Sequence, residues 1–226
     1  MRSLPPSSER PSTDELVRYL RSRTKGIRFA NRIQMVNRPR ICPFDDLLAL
    51  LPAGCRVVDI GCGNGTFMLL LAHFRTPSRL MGIDVDPGAV DAAGRIMRSF
   101  HPGVSDQVRF FDGVALPPEV RTADYVFLVD VLHHVPVSSQ KPFLESLFHT
   151  MQPGATLVLK DIDAGRWLLE KFNRLHDQIL ARQKVHAIRA GDAERWLTDI
   201  GFSTSPVRKK RLLWYPHYTI VAGKPC

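Results

Sequence analysis

From residue 55 onward, short apolar runs alternate with longer stretches whose apolar residues recur every three or four positions. Cys55-Arg56-Val57-Val58-Asp59-Ile60 reads as a buried strand, followed by a helix over Thr66 to His73. Arg79 to Ile83 is a second strand, and Pro87 to Phe100 a helix whose proline suits a first turn. Val108 to Phe111 is a short third strand. Tyr125 to Val129 is a fourth, nearly all apolar, as strands covered on both faces should be. A helix over Ser138 to Thr150 closes at Gln152-Pro153-Gly154, and Thr156 to Leu159 is the fifth strand. Asp192 to Ile200 is the final helix, with two more strands around Phe202 to Val207 and over Tyr218 to Ala222. This rhythm predicts an α/β fold with a doubly wound, mostly parallel sheet.

The first fifty residues follow a different pattern. Thr13 to Arg23 makes a short helix capped by Ser12 or Thr13, with Leu16 and Leu20 as its apolar stripe. Gly26 to Pro39 is ambiguous; Phe29, Ile33 and Val36 would line a second helical face before a break at Pro39. Cys42 to Leu51 is another short helix. The chain thus divides into a helical N-terminal cap, residues 1–50, and a main domain, residues 51–226. A long helical stretch at about 163–190 interrupts the main domain as a lid insert.

Composition narrows the class. With 226 residues and 44% apolar content, one core can form without a disulfide or metal staple. Four cysteines are too few and too unevenly spaced for a disulfide scaffold or zinc knot. The Ser/Pro-rich start lacks a signal-peptide core, and no apolar run reaches membrane-spanning length, so a cytoplasmic location is expected. The formal charge of +9 is concentrated in residues 1–40, which hold ten Arg/Lys against three Asp/Glu. A smaller basic cluster spans Arg208 to Arg211. Such patches suit an acidic substrate, an acidic carrier protein, RNA or an anionic surface, or only solvent.

The chemistry gathers at the strand ends. Asp59-Ile60-Gly61-Cys62-Gly63-Asn64-Gly65 leaves a strand and opens a helix, and its alternate glycines let backbone approach a ligand closely. Alone, such a bend is a weak signal. Asp84, Asp112-Gly113 and Asp130 end the next three strands at the same edge, however, and a carboxylate at Asp84 is suited to ribose hydroxyls. A lone strand-end aspartate is more often a turn residue; the full set beside the glycine bend points to a nucleotide.

Residues 50–160 resemble the class I S-adenosylmethionine-dependent methyltransferases of the small-molecule type. Val57 to Gly65 looks like their cofactor loop, and Gly82-Ile83-Asp84 like their ribose-binding strand end. Val129-Asp130-Val131-Leu132-His133-His134-Val135-Pro136 and Gln152-Pro153-Gly154-Ala155 resemble two further motifs. The resemblance implies a seven-stranded Rossmann-like sheet of order 3-2-1-4-5-7-6, its last strand antiparallel. It implies cofactor contacts from Asp59, Gly61, Cys62, Gly63, Asn64 and Gly65, then Asp84 with Val85 on the adenine, and Asp112 with Gly113. Asp130 and Val131 complete the set. The bound cofactor would be S-adenosyl-L-methionine, leaving as S-adenosyl-L-homocysteine. A nicotinamide-binding fold is the closest rival, but its third glycine would fall one residue later than Gly65. A non-catalytic cofactor-binding subunit is disfavoured by the complete set of strand-end acids.

Methyl transfer from a sulfonium needs alignment and exclusion of water, and a base only where the acceptor loses a proton. His134 is the leading base candidate, with His133 in a supporting role and His176 as a second base or hydrogen-bonder. Acceptor contacts are expected from Arg28, Phe29, Arg32 and Met35 of the cap, and from Lys160, Asp161, Trp167 and Phe172. Asp130 and Asp161 would mimic a strand-end magnesium site, but no third acidic or amide partner is evident, so no metal is expected. The expected acceptor is a small, largely apolar or aromatic molecule with an acidic group or on an acidic carrier, O-methylated as a phenol or carboxylate. RNA is the alternative partner, N- or C-methylation the alternative chemistry, and a monomer or homodimer the expected assembly.

Overall fold

The computed structural model describes residues 10–24, 27–100, 108–110, 116–165 and 186–226. Three helices come first: α1 (Thr13–Arg23), α2 (Phe29–Ile41) and α3 (Phe44–Ala49). The sheet is then built from β1 (Arg56–Ile60), β2 (Arg79–Asp84), β3 (Val108–Phe110), β4 (Tyr125–Val129), β5 (Thr156–Ile162), β6 (Ser203–Thr204), β7 (Arg208–Leu212) and β8 (Tyr215–Gly223). Between them run α4 (Thr66–Phe74), α5 (Pro87–Phe100), α6 (Val137–Thr150) and α7 (Ala190–Ile200).

The strands lie in the order β3-β2-β1-β4-β5-β8-β6. The first five are mutually parallel, and β8 runs antiparallel to β5. This is the expected seven-strand order with its antiparallel last strand, the edge strand being in two segments. The basic run Arg208 to Arg211, read only as a charge cluster, is β7, which pairs with β8 beside β6. Between the pairs Thr204↔Ala222 and Arg208↔Thr219 the β6–β7 side holds one residue more than β8, so the two segments form one edge strand broken by a bulge. Pro206 lies within that break and has no N–H to give a ladder.

Both faces of the sheet are covered, as the apolar strands require. Val57, Phe127 and Val158 face a core shared with α1, α3 and α4, whereas their neighbours Val58, Leu128 and Leu157 face α6 and α7. Phe127 is fully buried, and truncating such a side chain to alanine costs about 3–5 kcal/mol.

Several boundaries differ from the sequence expectation for physical reasons. Helix α2 runs past Pro39 to Ile41, since a proline in the last turn forfeits only one hydrogen bond. Its buried residues are Met35, Val36 and Pro39, while Phe29 and Ile33 are exposed, so the expected Phe29–Ile33–Val36 face is not the packed one. β5 continues three residues beyond Leu159, because β8 pairs with it as far as Ile162↔His217. Residues 163–165 and 186–189, the described ends of the expected lid, are not helical; its centre lies outside the described residues. Among the described residues no helix is long and apolar enough to cross a membrane.

Candidate active site

At the end of β1 the chain turns over the tip of β2: the Gly61 and Cys62 N–H groups donate to the Ile83 carbonyl at 2.8 and 3.1 Å. Gly61 has φ of +73°, and a Cβ there would lie 2.3 Å from the Val131 side chain, so its bareness serves packing. Gly63 differs. Its φ is +53°, yet a Cβ would meet nothing within 4 Å, because the residue borders an open pocket. The Gly63 N–H donates to Asp84 Oδ2 at 2.8 Å, and the Asp86 N–H to Asp84 Oδ1 at 3.0 Å, which fixes the Asp84 carboxylate in the bend.

The pocket has a volume of about 510 Å³ and runs across the bend from the start of α5 to the tip of β4. Asp59, Gly61, Cys62, Gly63, Asn64 and Asp130 line it. Gly65 and Asp84 lie behind that lining, Val131 packs on Gly61, and Val85 is exposed near by. Asp112 and Gly113 lie outside the described residues. Cys62 is buried, which pushes its thiol far up, with Asp59 adding to the effect; it is a wall and not a nucleophile.

Asp59 is 2% exposed, and burial, reinforced by Asp84, pushes its carboxyl up to about 8. A buried acid with no cation beside it among the described residues, next to a glycine that leaves open space, fits a ligand bearing an ammonium or sulfonium group.

Sequence reasoning missed the roof of this pocket. Asn31, Gln34 and Arg38 project into it from one face of α2, and Asn64 donates to Gln34 at 3.3 Å. Their spacing of three and four residues is a helical signal that was obscured by the apolar residues between them. The cap residues expected to touch the acceptor behave otherwise. Met35 is fully buried core, Phe29 is 75% exposed, Arg28 is exposed, and Arg32 does not line the pocket. These side chains lie on other faces of the same helix.

At the far end stands a charged cluster. Asp130 takes φ of +57°, a conformation rare outside glycine, at the point where β4 gives way to a short 3-10 turn (Leu132–His134). Its carboxylate accepts from Arg38 at 2.6 Å and forms a short contact with Lys160, whose side chain is fully buried. Burial alone would raise the Asp130 carboxyl, but Lys160 and then Arg38 reverse this and hold it well below the usual range. On β5 the next residue, Asp161, binds His133 Nδ1 at 2.5 Å and accepts from the His133 N–H at 3.1 Å. The His134 ring lies 4.1 Å from that of His133; burial and then His133 lower its affinity for protons.

Beyond this cluster is a second chamber of about 130 Å³, which shares Arg38, Asp130 and His134 with the first. His133, Ile162 and Ile41 form part of its wall, and Tyr215 and His217 of β8 close it. Neither β8 residue was singled out from the sequence, because only the pairing of β8 with β5 brings them here. Trp167, Phe172 and His176 lie outside the described residues.

Asp130, His133 and Asp161 bring metal-ligand atoms within 4.8 Å of one another, and His133 is the third group that sequence reasoning did not find. Lys160 and Arg38 already engage the two Asp130 oxygens, and His133 engages Asp161.

A model of the family described as "Methyltransferase domain" matches residues 36–206. Over 112 residues, 48% of the chain, it is 32% identical to the erythromycin 3''-O-methyltransferase of Saccharopolyspora erythraea. Over 123 residues, 52% of the chain, it is 32% identical to the 27-O-demethylrifamycin SV methyltransferase of Amycolatopsis mediterranei. These stretches cover 35% and 43% of those proteins, so the chain spans less than half the length of the two curated relatives. Among solved structures, the magnesium protoporphyrin IX methyltransferase of Synechocystis PCC 6803, with bound SAH, superposes with a TM-score of 0.64 at 18% identity. That match covers 92% of this chain and 93% of the other. Taken with the strand order and the glycine bend, the family match over most of the chain shows that it belongs to the class I S-adenosylmethionine-dependent methyltransferases.

Proposed function

We propose that this protein methylates a hydroxyl group of a small molecule by direct, metal-free transfer from S-adenosylmethionine. The observation that carries the reading is the junction of two cavities at Arg38, Asp130 and His134: the larger lined by Asp59, the smaller by His133, which Asp161 holds from behind. When bound, the cofactor supplies an electrophilic methyl group on a cationic sulfur.

The chain's own residues do the rest. Asp59 neutralises the cationic end of the ligand, Gly63 leaves room for it, and Asn31 and Gln34 roof the pocket. Asp161, held on His133 Nδ1, fixes the imidazole tautomer and leaves Nε2 to accept the proton that the acceptor hydroxyl loses. This moves the proton-accepting role from His134 to its neighbour; His134, exposed at the junction, shapes the passage between the cavities. No residue at the junction would have to act as an acid, because a sulfonium leaving group needs no proton. Two cations already neutralise Asp130, so a divalent ion there would meet positive charge beside it, which supports transfer without metal.

The two relatives named above are O-methyltransferases or act on a demethylated oxygen by their names, which supports oxygen as the nucleophile. RNA is a poorer fit: Arg38 and Arg10 of the basic cap are spent on Asp130 and Asp46 inside the molecule. A methyl-labelled cofactor incubated with hydroxylated small molecules tests the proposal. His133→Gln and Asp161→Asn should each lower kcat by about a hundredfold or more while cofactor affinity changes little. Unaltered turnover in both variants would remove the pair from the chemistry.

A further inference from the structure

We propose that His217 and the chamber it closes are the specificity subsite of the acceptor, taking one neutral ring whose hydroxyl or carbonyl hydrogen-bonds the imidazole. This rests on the methyl-transfer reading above and adds to it the shape and charge of the acceptor.

His217 is 3% exposed, stands opposite Ile162 in the β5–β8 register, and lines the smaller chamber. Neither of its ring nitrogens makes a well-aligned hydrogen bond among the described residues, although the Ile41 backbone lies close enough to favour its protonated form slightly. Leaving a buried polar group poorly paired is unfavourable, so a side chain in this state beside an open cavity is prepared for an outside partner. Tyr218 and Gln140 also carry one unpaired buried atom each, but neither lines either of these two cavities. The location is what separates His217 from them: its chamber adjoins the larger pocket at the three residues where transfer would occur.

Size and charge narrow the occupant. The chamber's volume of about 130 Å³ is close to that of a cavity of roughly 150 Å³ that holds a benzene molecule, so it admits one six-membered ring. Burial, followed by the Lys160 charge, pushes the His217 imidazole down to about 4, so the ring is neutral in use. A neutral imidazole offers one donor and one acceptor, which match a hydroxyl or carbonyl. A carboxylate would have to share its cation with Asp130, which both Lys160 and Arg38 already bind. Ile41 and Ile162 supply the apolar walls that a ring requires.

The test is an NMR titration of the full chain labelled with 15N-histidine, with and without S-adenosylhomocysteine, using phenol and benzoate as probes. His217→Asn assigns the His217 ring signals. Phenol should shift those signals and bind at least about tenfold more tightly than benzoate. His217→Phe, which fills the chamber, should weaken phenol binding about tenfold or more while S-adenosylhomocysteine binding stays within about twofold. Signals of His217 unmoved by phenol, a preference for benzoate, or undiminished phenol binding in His217→Phe would overturn the assignment. The wild-type titration decides the matter even where the variant fails to fold. Failure of S-adenosylhomocysteine to bind would instead sink the transfer reading, and phenol titrated into the free protein would still decide the role of His217.

Discussion

Asp59 is a buried acid that works against stability. Its carboxyl, pushed up to about 8 by burial and by Asp84, takes up a proton on folding that the unfolded chain would not hold at neutral pH. The folded state therefore binds more protons than the unfolded state between about 4 and about 8, and Asp59 makes stability fall as pH rises through that window. Asp59→Asn, close in volume but without the charge, should melt at a higher temperature than the parent near pH 8 and at a similar one near pH 4. The same variant should bind the cofactor about tenfold or more weakly by calorimetry. Equal melting of the two proteins at high pH would refute the buried-acid account. The glycine bend and Asp59 were legible from sequence because their signal is local: a strand, alternate glycines, a helix. Asp130 was legible as a site residue but not as a left-handed one held by two cations, and His217 was silent. Their meaning depends on partners 30 to 92 residues away or on a strand pairing.

The elements around Asp130 act as a clasp. Arg38 brings α2, and Lys160 brings β5, onto the end of β4, so one carboxylate joins the cap, the cofactor pocket and the sheet. Removing one member of a buried ion pair leaves its partner uncompensated and costs about 3–5 kcal/mol. Lys160→Met should destabilise the protein by roughly that amount in urea titrations, with the loss greatest above the ordinary carboxylate range. Because Lys160 and Arg38 hold the Asp130 carboxyl down, its contribution is present at neutral pH and is lost as acid protonates it. A loss below about 1 kcal/mol would show that the clasp carries no load. The helices and strands themselves were readable from periodicity, since α5 and β4 begin and end where the pattern places them. Three features escaped: α2 continuing through Pro39, β5 reaching Ile162, and the bulged β6–β7 edge. Each is decided by a neighbour in space, which local periodicity does not report.

At the scale of the whole molecule, the net charge of +9 already counts the acids that several basic residues bind. Lys210 binds Asp45 and Asp46, Arg10 also reaches Asp46, Lys209 binds Asp163 and Arg38 binds Asp130, so much of the basic surface is used to hold cap, edge strand and sheet together. With a neutral acceptor, raising the salt from about 0.1 to about 0.3 M should change kcat/KM less than about twofold. A steep fall in log-log slope would instead point to a polyanionic partner. The central claim, that the pocket over the glycine bend holds the cofactor with buried Asp59 against its cationic end, is tested most directly by proton-linked calorimetry. S-adenosylhomocysteine is titrated near pH 7 in buffers of different ionisation enthalpy. One molecule should bind per chain with release of close to one proton, about the fraction that a carboxyl titrating near 8 holds there, and Asp59→Asn should release almost none. No binding, or binding with no proton released by the parent protein, would contradict the account.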